Sequence, residues 1–335
     1  MNMQEKTAFR FVATLVFTLG LMLAPPYSVL AKSKAVETAS LSAATETGIS
    51  FTPETKQTEA IREIVRTLEK YHYKSVELND DFSTKVLDQY LKTLDPAKSH
   101  FLQSDIDEFQ RYRHTFDDDL KDGKLDNAFA IYNRFYQRRI QRLEYMLALV
   151  PVIKKDFDFS KKAYLELDRE QMPWLADTDE AHTLWWQLVK NDVLNMRISG
   201  KKLDEITPAL EKRYNDQLNL LNKTHNSDVF EYFVTAFTHS YDPHTDFFPP
   251  RESENFDIHM KLSLEGIGAL LQREDEYIKV VQLIAGGPAE RSKLLKPADR
   301  IVGVGQGLTG EIVDVTGWRL DEVVDMIRGP KGSVV

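Results

Sequence analysis

The chain has 335 residues, enough for two domains, and its 42% hydrophobic and 28% charged residues are ordinary for a soluble globular protein. Its net charge of -9 argues against a nucleic-acid partner, because a phosphate backbone is bound by a basic stripe. Cysteine is absent, which excludes disulfides and thiolate metal sites and allows passage through an oxidising compartment without mispairing.

Residues 1–31 have the pattern of a cleavable signal peptide. Two basic residues precede an apolar run at 11–23, and Val29-Leu30-Ala31 fits a signal-peptidase cut after Ala31. The run is shorter than the ~20 residues of a membrane span, so an uncleaved anchor helix is the less favoured alternative and stable membrane insertion is not expected. Residues 32–52 are rich in Ala, Ser, Thr and Glu, which predicts a disordered mature N-terminus of a bacterial periplasmic protein.

Residues 53–240 are predicted to form an all-helical domain. Apolar side chains recur there at helical spacing, with charged residues on the opposite faces. Cap residues indicate helix starts at Thr52-Pro53, at Ser104 with Asp107, and at Thr207-Pro208.

Several charged and aromatic residues of this domain have an ordinary structural interpretation. The acidic run at 117–119 and the basic residues Arg138, Arg139 and Arg142 are predicted to lie on solvated helix faces. The tryptophans Trp174, Trp185 and Trp186 are predicted to pack between helices, with a partner-binding surface as the less favoured alternative.

Residues 241–255 are predicted to link this domain to the next one. His239, Asp242, His244 and Asp246 lie close in sequence, so a metal site is conceivable, and so is a triad of Ser240, His244 and Asp246. No second ligand cluster and no nucleophile-elbow pattern accompanies them. The sequence therefore favours a turn with packed aromatic residues, with no metal ion and no cofactor.

Residues 256–335 change from helical spacing to short apolar runs separated by glycines. The loop Gly266-Ile267-Gly268-Ala269 opens an apolar strand and can present successive backbone N–H groups to a carboxylate. It is followed by Gly286-Gly287-Pro288-Ala289, by Asp299-Arg300-Ile301-Val302, and by an amphipathic helix predicted at 317–328.

The order of these segments resembles a PDZ domain, although Ala298 stands where a glycine is usual. The resemblance implies that N–H groups of the Gly266–Ala269 loop hold a peptide's terminal carboxylate and that strand 269–272 pairs with its backbone. It also implies an apolar pocket lined by Val323, Val324 and Ile327, and thus a preference for apolar C-terminal tails. The alternative interpretation makes these three residues simple core residues.

A wider resemblance covers the chain from about residue 53 onward. Asp242-Pro243-His244-Thr245 precedes the Gly266–Ala269 loop, and further motifs occur at 123–126, 167–169, 173–174 and 317–324. Together they resemble the C-terminal processing serine peptidases and, within that family, the tail-specific proteases. The resemblance implies an all-α N-terminal domain followed by a small mixed α/β PDZ domain at 256–335, incomplete in its last strand.

In that family a serine nucleophile is activated by a lysine base, and both belong to a core that follows the PDZ domain. Such a lysine must be neutral to accept a proton, so burial has to lower its pKa. No serine or lysine of residues 1–335 matches those positions, so the resemblance implies an N-terminal part that is inactive alone and has no catalytic residue in this chain.

The implied partners are unfolded or tagged envelope proteins with apolar C-termini, and the resemblance allows an adaptor protein as a further partner. If the polypeptide ends at residue 335, the alternative is a non-catalytic peptide-binding adaptor built from the same two domains.

Overall fold

The computed structural model of the chain describes residues 48–160, 162–249, 253, 266–329 and 332–335. The predicted signal peptide, the predicted disordered segment up to residue 47 and most of 250–265 lie outside these residues. At the end of the segment predicted to be disordered, Phe51 is buried between Tyr132 and Tyr136, at ring-centroid distances of 5.7 and 5.1 Å. Its backbone N–H and carbonyl both bond to the Asn133 side chain, each at 2.9 Å, so the folded domain extends at least to Phe51.

The first part of the chain is helical, as the apolar spacing predicts. Its helices are α1 (Thr55–Tyr71), α2 (Asp80–Leu94), α3 (Gln103–Phe109), α4 (Phe116–Asp122), α5 (Asp126–Leu149), α6 (Ile153–Asp156), α7 (Thr178–Ile198), α8 (Leu203–Leu221) and α9 (Asn226–Tyr241). The long helix α5 packs against α7, α8 and α9, while α2 packs against α9. Buried aromatic side chains fill the space between them, among them Tyr90, Phe129, Tyr132 and Phe233. None of the helices in the described ranges combines the length and apolarity that crossing a membrane requires.

Three of the predicted helix starts are wrong by two to five residues, for one physical reason. In each helix an acidic or amide side chain in the first turn accepts the N–H of the cap residue, so the cap residue needs no side-chain oxygen. Gln57 accepts from Glu54 at 2.8 Å, Asp105 from Leu102 at 2.9 Å, and Glu205 from Lys202 at 2.8 Å. Pro208 consequently lies inside α8, in its second turn, where its missing N–H leaves the Asp204 carbonyl without the usual i→i−4 bond.

The prediction of a solvated face is wrong for Arg138 and Arg142 of α5. Arg142 donates to the Ser99 hydroxyl at 3.1 Å, and Arg139 is half-buried. The carboxylate of Asp105 is fully buried, and it accepts from Arg134 at 2.5 Å and from Arg138 at 2.7 and 2.9 Å. Asp117 in the acidic run is also buried, which corrects that prediction for this residue. The interpretation of the tryptophans is confirmed for Trp185, whose ring is buried and whose Nε1 donates to the Ser99 carbonyl at 2.8 Å.

The described residues of the second part form two small antiparallel sheets and two helices. Strands β1 (Ala269–Glu274), β2 (Tyr277–Leu283) and β3 (Arg300–Ile301) form one sheet in that order, and β4 (Gly303–Gly305) pairs with β5 (Ile312–Asp314). The helices are α10 (Pro288–Ser292) and α11 (Leu320–Ile327). A separate small core joins the two sheets to α11, and its buried members are Ile278, Val304, Val315, Val323 and Ile327. The fold class predicted from the sequence is therefore confirmed.

The two parts contact each other where α9 begins and α11 begins. Arg319, just before α11, donates to both carboxylate oxygens of Asp228 in α9, at 2.6 and 3.2 Å. It also donates to the Lys223 carbonyl at 3.2 Å, while the Lys223 ammonium donates to the Gly317 carbonyl. These bonds fix the start of α11 against the helical domain.

Candidate peptide-binding site

The Gly266–Ala269 loop leads directly into β1, and its carbonyl groups are held by the segment that follows β2. The Ile267 carbonyl accepts from the Ala289 N–H at 2.8 Å, and the Gly268 carbonyl accepts from the Ile284 N–H at 2.8 Å. Both carbonyls therefore point toward β2 and α10.

The carbonyl directions fix the directions of two N–H groups. In a trans peptide the C=O of one residue and the N–H of the next point to opposite sides. The N–H groups of Gly268 and Ala269 therefore point away from α10 and β2, on the side of the outer edge of β1. Successive backbone N–H groups with free donors at a strand start can bind a carboxylate.

Close backbone contact explains the glycines of the two loops. Gly268 has a left-handed φ of 73°, and a Cβ added to it would lie 3.0 Å from the Gly287 Cα. A Cβ on Gly287 would in turn lie 2.9 Å from the Ile284 carbonyl oxygen. The Gly286-Gly287-Pro288-Ala289 turn thus packs directly on the Gly266–Ala269 loop, and a larger residue at Gly268 or Gly287 would displace one from the other.

Strand β1 lies at the edge of its sheet, since the strand order in the described part of the chain is β1-β2-β3. Its pairing with β2 includes Leu271 opposite Val280, with an irregularity between Leu270 and Leu271. The outer edge is therefore geometrically suited to strand addition by a peptide. The predicted loop and the predicted strand are adjacent and continuous in the structure.

The three predicted pocket residues of α11 have different environments. The side chains of Val323 and Ile327 lie in the small core, with 0% and 8% exposure, and Val324 is half-buried. Leu320, four residues before Val324, is also half-buried and packs against that core together with Leu271 of β1. Residues four apart share a helix face, so this spacing could have identified Leu320 from the sequence. A pocket-lining role for Val323, Val324 and Ile327 remains a prediction.

The segment after α9 forms a turn whose polar side chains bond within the structure. Asp242 accepts from the Tyr73 hydroxyl at 2.7 Å and from the His244 N–H at 2.9 Å. Ser240 donates to the Ala236 carbonyl of its own helix at 2.7 Å, which is not the geometry of an activated nucleophile. Phe247 packs on Phe230 with ring centroids 5.8 Å apart, which confirms the predicted turn with packed aromatic residues.

Tyr73 is one of the residues that sequence reasoning missed, because its partner lies 169 positions away along the chain. His239 lies 2.6 Å from the Asp246 carboxylate, and His72 lies 2.9 Å from the Thr245 hydroxyl. Within the described ranges, no group of three or more His, Cys, Asp and Glu side chains is placed to hold a metal ion.

Comparison with known proteins assigns both parts of the chain. Residues 64–251 match the family described as "Tail specific protease N-terminal domain", and residues 256–335 match the PDZ domain family. A tail-specific protease of Haemophilus influenzae is 42% identical over 277 residues, covering 82% of this chain and 39% of that protein. The carboxy-terminal processing protease CtpA of Bacillus subtilis is 31% identical over 135 residues, covering 40% of this chain and 27% of that protein.

The chain thus spans about two fifths of the length of the Haemophilus protein. The crystal structure of a PDZ domain of a carboxy-terminal protease from Vibrio cholerae, in complex with peptide, is 60% identical. That match covers 21% of this chain and 70% of the other, with a TM-score of 0.20. By the match over its helical region, the chain belongs to the tail-specific protease family, with that family's N-terminal domain followed by a PDZ domain.

Proposed function

We propose that this chain is the substrate-recognising part of a periplasmic tail-specific serine endopeptidase. The loop Gly266–Ala269 binds the C-terminal carboxylate of a substrate protein, and the outer edge of β1 pairs with the last residues of the bound chain. The observation that supports this most directly is the direction of the Gly268 and Ala269 N–H groups, away from β2 and α10. A carboxylate accepting such N–H groups forms charge-assisted bonds, which are stronger than bonds between neutral groups.

The pocket beside the strand edge favours apolar C-terminal side chains. Leu320 and Val324 of α11 are half-buried, and Leu271 of β1 packs on the same core. Buried apolar surface contributes about 25 cal/mol per Å², so a terminal aliphatic or aromatic side chain gains by entering this pocket. Unfolded or tagged envelope proteins with apolar tails are the proposed substrates, because an extended tail must be free to add as a strand.

Cleavage is proposed to come from a serine and a buried neutral lysine that lie outside residues 1–335. In the same proposal residues 1–31 are a cleaved signal peptide and the segment from 32 up to about Phe51 precedes the folded domain, since Phe51 is already buried in it. The helical domain then runs to residue 240, residues 241–255 link the domains and 256–335 belong to the PDZ domain. The chain alone then binds tails without hydrolysing them.

The recognition step is tested with a fluorescent peptide that ends in apolar residues, as a free acid and as a C-terminal amide. The free acid is expected to bind about tenfold more tightly or better, because one charged hydrogen bond contributes about 1.5–3 kcal/mol. Equal affinities of the two peptides would remove the carboxylate role of the loop.

The catalytic step is tested by incubating an unstructured substrate with the 335-residue chain and with the product of the complete gene. Hydrolysis sensitive to serine reagents is expected only with the latter. Hydrolysis by the 335-residue chain would overturn the proposed position of the active site. Inactivity of both preparations, with tail binding retained, would favour the adaptor alternative.

A further inference from the structure

A groove with a volume of about 1840 Å³ runs between the two domains. One wall is formed by α1 and α9 of the helical domain together with residues 245–249. The other wall is formed by Arg273 near the end of β1, by Arg319 and by the first two turns of α11, which contribute Leu320, Asp321, Glu322 and Asp325. The groove therefore begins where the proposed tail-binding site ends.

The direction of a bound tail follows from the same strand. A peptide that places its carboxylate at the start of β1 and pairs antiparallel runs toward Arg273 with its upstream residues. Five strand residues from Ala269 to Arg273 correspond to about 14 Å, or about five peptide residues. Residues further upstream leave the strand edge beside Arg273 and Leu320, which both line the groove.

We propose that this groove is a second binding site for the same substrate, occupied by the extended polypeptide just upstream of the captured tail. The inference rests on the proposed carboxylate site and adds that the helical domain itself contacts substrate. A tail is then recognised by both domains together, over a longer segment than β1 alone can pair with.

The lining of the groove indicates which upstream sequences it favours. Ile64 and Leu68 of α1 and Phe247 after α9 are half-buried and provide an apolar floor. Carboxylates outnumber cationic groups among the lining side chains, and the Glu63 side chain at the rim is 74% exposed. An extended segment that carries apolar and basic side chains complements this surface.

Ion pairs between the domains fix the positions of the two groove walls relative to each other. Arg319 forms a two-pronged ion pair with Asp228 at 2.6 and 3.2 Å, and both residues also line the groove. Lys212 of α8 reaches Asp275, in the turn after β1, at 2.5 Å. A groove with preformed walls binds an extended chain with less ordering of the protein.

The test compares peptides of six and fourteen residues that share the same apolar C-terminus, measured on the whole chain by fluorescence anisotropy. Two different fourteen-residue peptides are used. One carries lysines at three upstream positions, and the other carries glutamines at the same three positions. We expect the lysine peptide to bind about fivefold more tightly than the six-residue peptide, because exposed ion pairs each contribute up to about 1 kcal/mol. We expect the glutamine peptide to lie between them.

A charge reversal at Glu63 tests whether the higher affinity of the lysine peptide comes from the groove. Glu63→Lys is expected to remove most of the advantage of the lysine peptide and to leave the six-residue peptide unchanged. Glu69→Lys is the matched control, since Glu69 is exposed on the same helix but does not line the groove. It is expected to leave all affinities unchanged.

The outcomes separate this inference from the proposed function. Equal affinities of all three peptides, with binding that still requires the free carboxylate, would overturn the second site and leave the tail site intact. An equal response to Glu63→Lys and Glu69→Lys would also overturn it, because the effect would then be one of net charge. A failure of every free-acid peptide to bind better than its amide would instead reject the tail site.

Discussion

Left-handed backbone angles occur in this PDZ domain both at a glycine and at an alanine. Gly268 has φ 73° and Ala298 also has φ 73°. Glycine adopts this region without strain, whereas an L-residue with a Cβ is disfavoured there by roughly 1–2 kcal/mol. Ala298 is held in place by its N–H, which donates to the Val280 carbonyl at 2.8 Å, and by the Val280 N–H, which donates to the Asp299 carbonyl at 2.9 Å.

Replacement of Ala298 by glycine is expected to stabilise the domain. Relief of the left-handed strain exceeds the extra backbone entropy of glycine in the unfolded chain, so a net gain of about 0.5–1 kcal/mol is predicted. Urea unfolding of the whole chain measures it. Ala285→Gly, at an exposed position without positive φ, is the control and is expected to be neutral or destabilising. A loss of stability in Ala298→Gly would contradict the backbone assignment.

A half-buried histidine, His100, gives the helical domain a predictable response to acid. Burial lowers the pKa of His100, and the nearby Arg142 and Arg139 guanidinium groups lower it further, against the opposing effect of Asp95. The His100 Nδ1 lies 3.2 Å from the Asp95 carboxylate, and its Nε2 lies 3.1 Å from Arg142 Nη1. Neutral His100 can accept a hydrogen bond from Arg142, whereas protonated His100 places two cations in contact.

Stability is therefore expected to fall as pH decreases from about 6.5, the unfolded-state pKa of histidine, toward the lower pKa in the folded state. The sign follows because the unfolded chain binds the proton more readily than the folded one. The slope from this group is at most about 1.4 kcal/mol per pH unit. His100→Gln should flatten the pH dependence of urea unfolding between pH 7 and pH 5 relative to the unmodified chain. An unchanged slope would show that His100 is not the responsible group.

At the scale of single elements, α11 serves both the core and the proposed tail pocket. Val323 is fully buried in the small core, while its neighbour Val324 is half-buried on a face shared with Leu320. Adjacent helix residues point in directions about 100° apart, so the two valines meet different surroundings.

Truncation of the two valines is expected to have different effects. Loss of the Val323 side chain should lower stability, and loss of the Val324 side chain should weaken peptide binding. Val323→Ala should lower the unfolding free energy by about 2 kcal/mol, because it leaves a cavity in a small core. Val324→Ala should cost less than about 1 kcal/mol and weaken binding of an apolar tail instead. Urea unfolding and peptide anisotropy, measured on both variants, check this. An unchanged tail affinity in Val324→Ala would place the pocket elsewhere.

The sequence predicts which helices and strands exist better than it predicts where they end and which distant side chains they contact. The apolar spacing of α5 and α9 and the order of glycine motifs in the PDZ domain are local patterns, so they can be read directly. The start of α8 depends on Glu205 accepting from the Lys202 N–H, an arrangement that cap-residue preferences alone do not identify. The burial of Asp105 with Arg138 joins residues 33 positions apart, and charge alone predicts a solvated surface for both.

At the scale of the whole molecule, the position of the PDZ domain depends on a small polar interface. The Arg319 guanidinium joins α11 to Asp228 of α9, and both side chains are about a quarter exposed. Lysine cannot reproduce the two parallel bonds of a guanidinium to a carboxylate.

Arg319→Lys is therefore expected to loosen the contact between the domains. A loss of about 1 kcal/mol is predicted, together with faster amide exchange at the start of α11. Hydrogen exchange read out by mass spectrometry measures this on the whole chain. Arg300→Lys, at an exposed ion pair with Glu274 inside the PDZ domain, is the control and should change stability by less than about 0.5 kcal/mol. Identical exchange in Arg319→Lys and the unmodified chain would show that other contacts hold the domains together.

A thermodynamic cycle tests whether the Gly266–Ala269 loop binds a chain-terminal carboxylate. Affinities of a free-acid peptide and its amide are measured for the unmodified chain and for Gly268→Ala, whose Cβ would press on Gly287 and displace the loop. We expect the advantage of the free acid, about tenfold in the unmodified chain, to be largely lost in the variant, while the amide binds both proteins similarly. An acid-to-amide ratio that is the same in a correctly folded Gly268→Ala variant would contradict it.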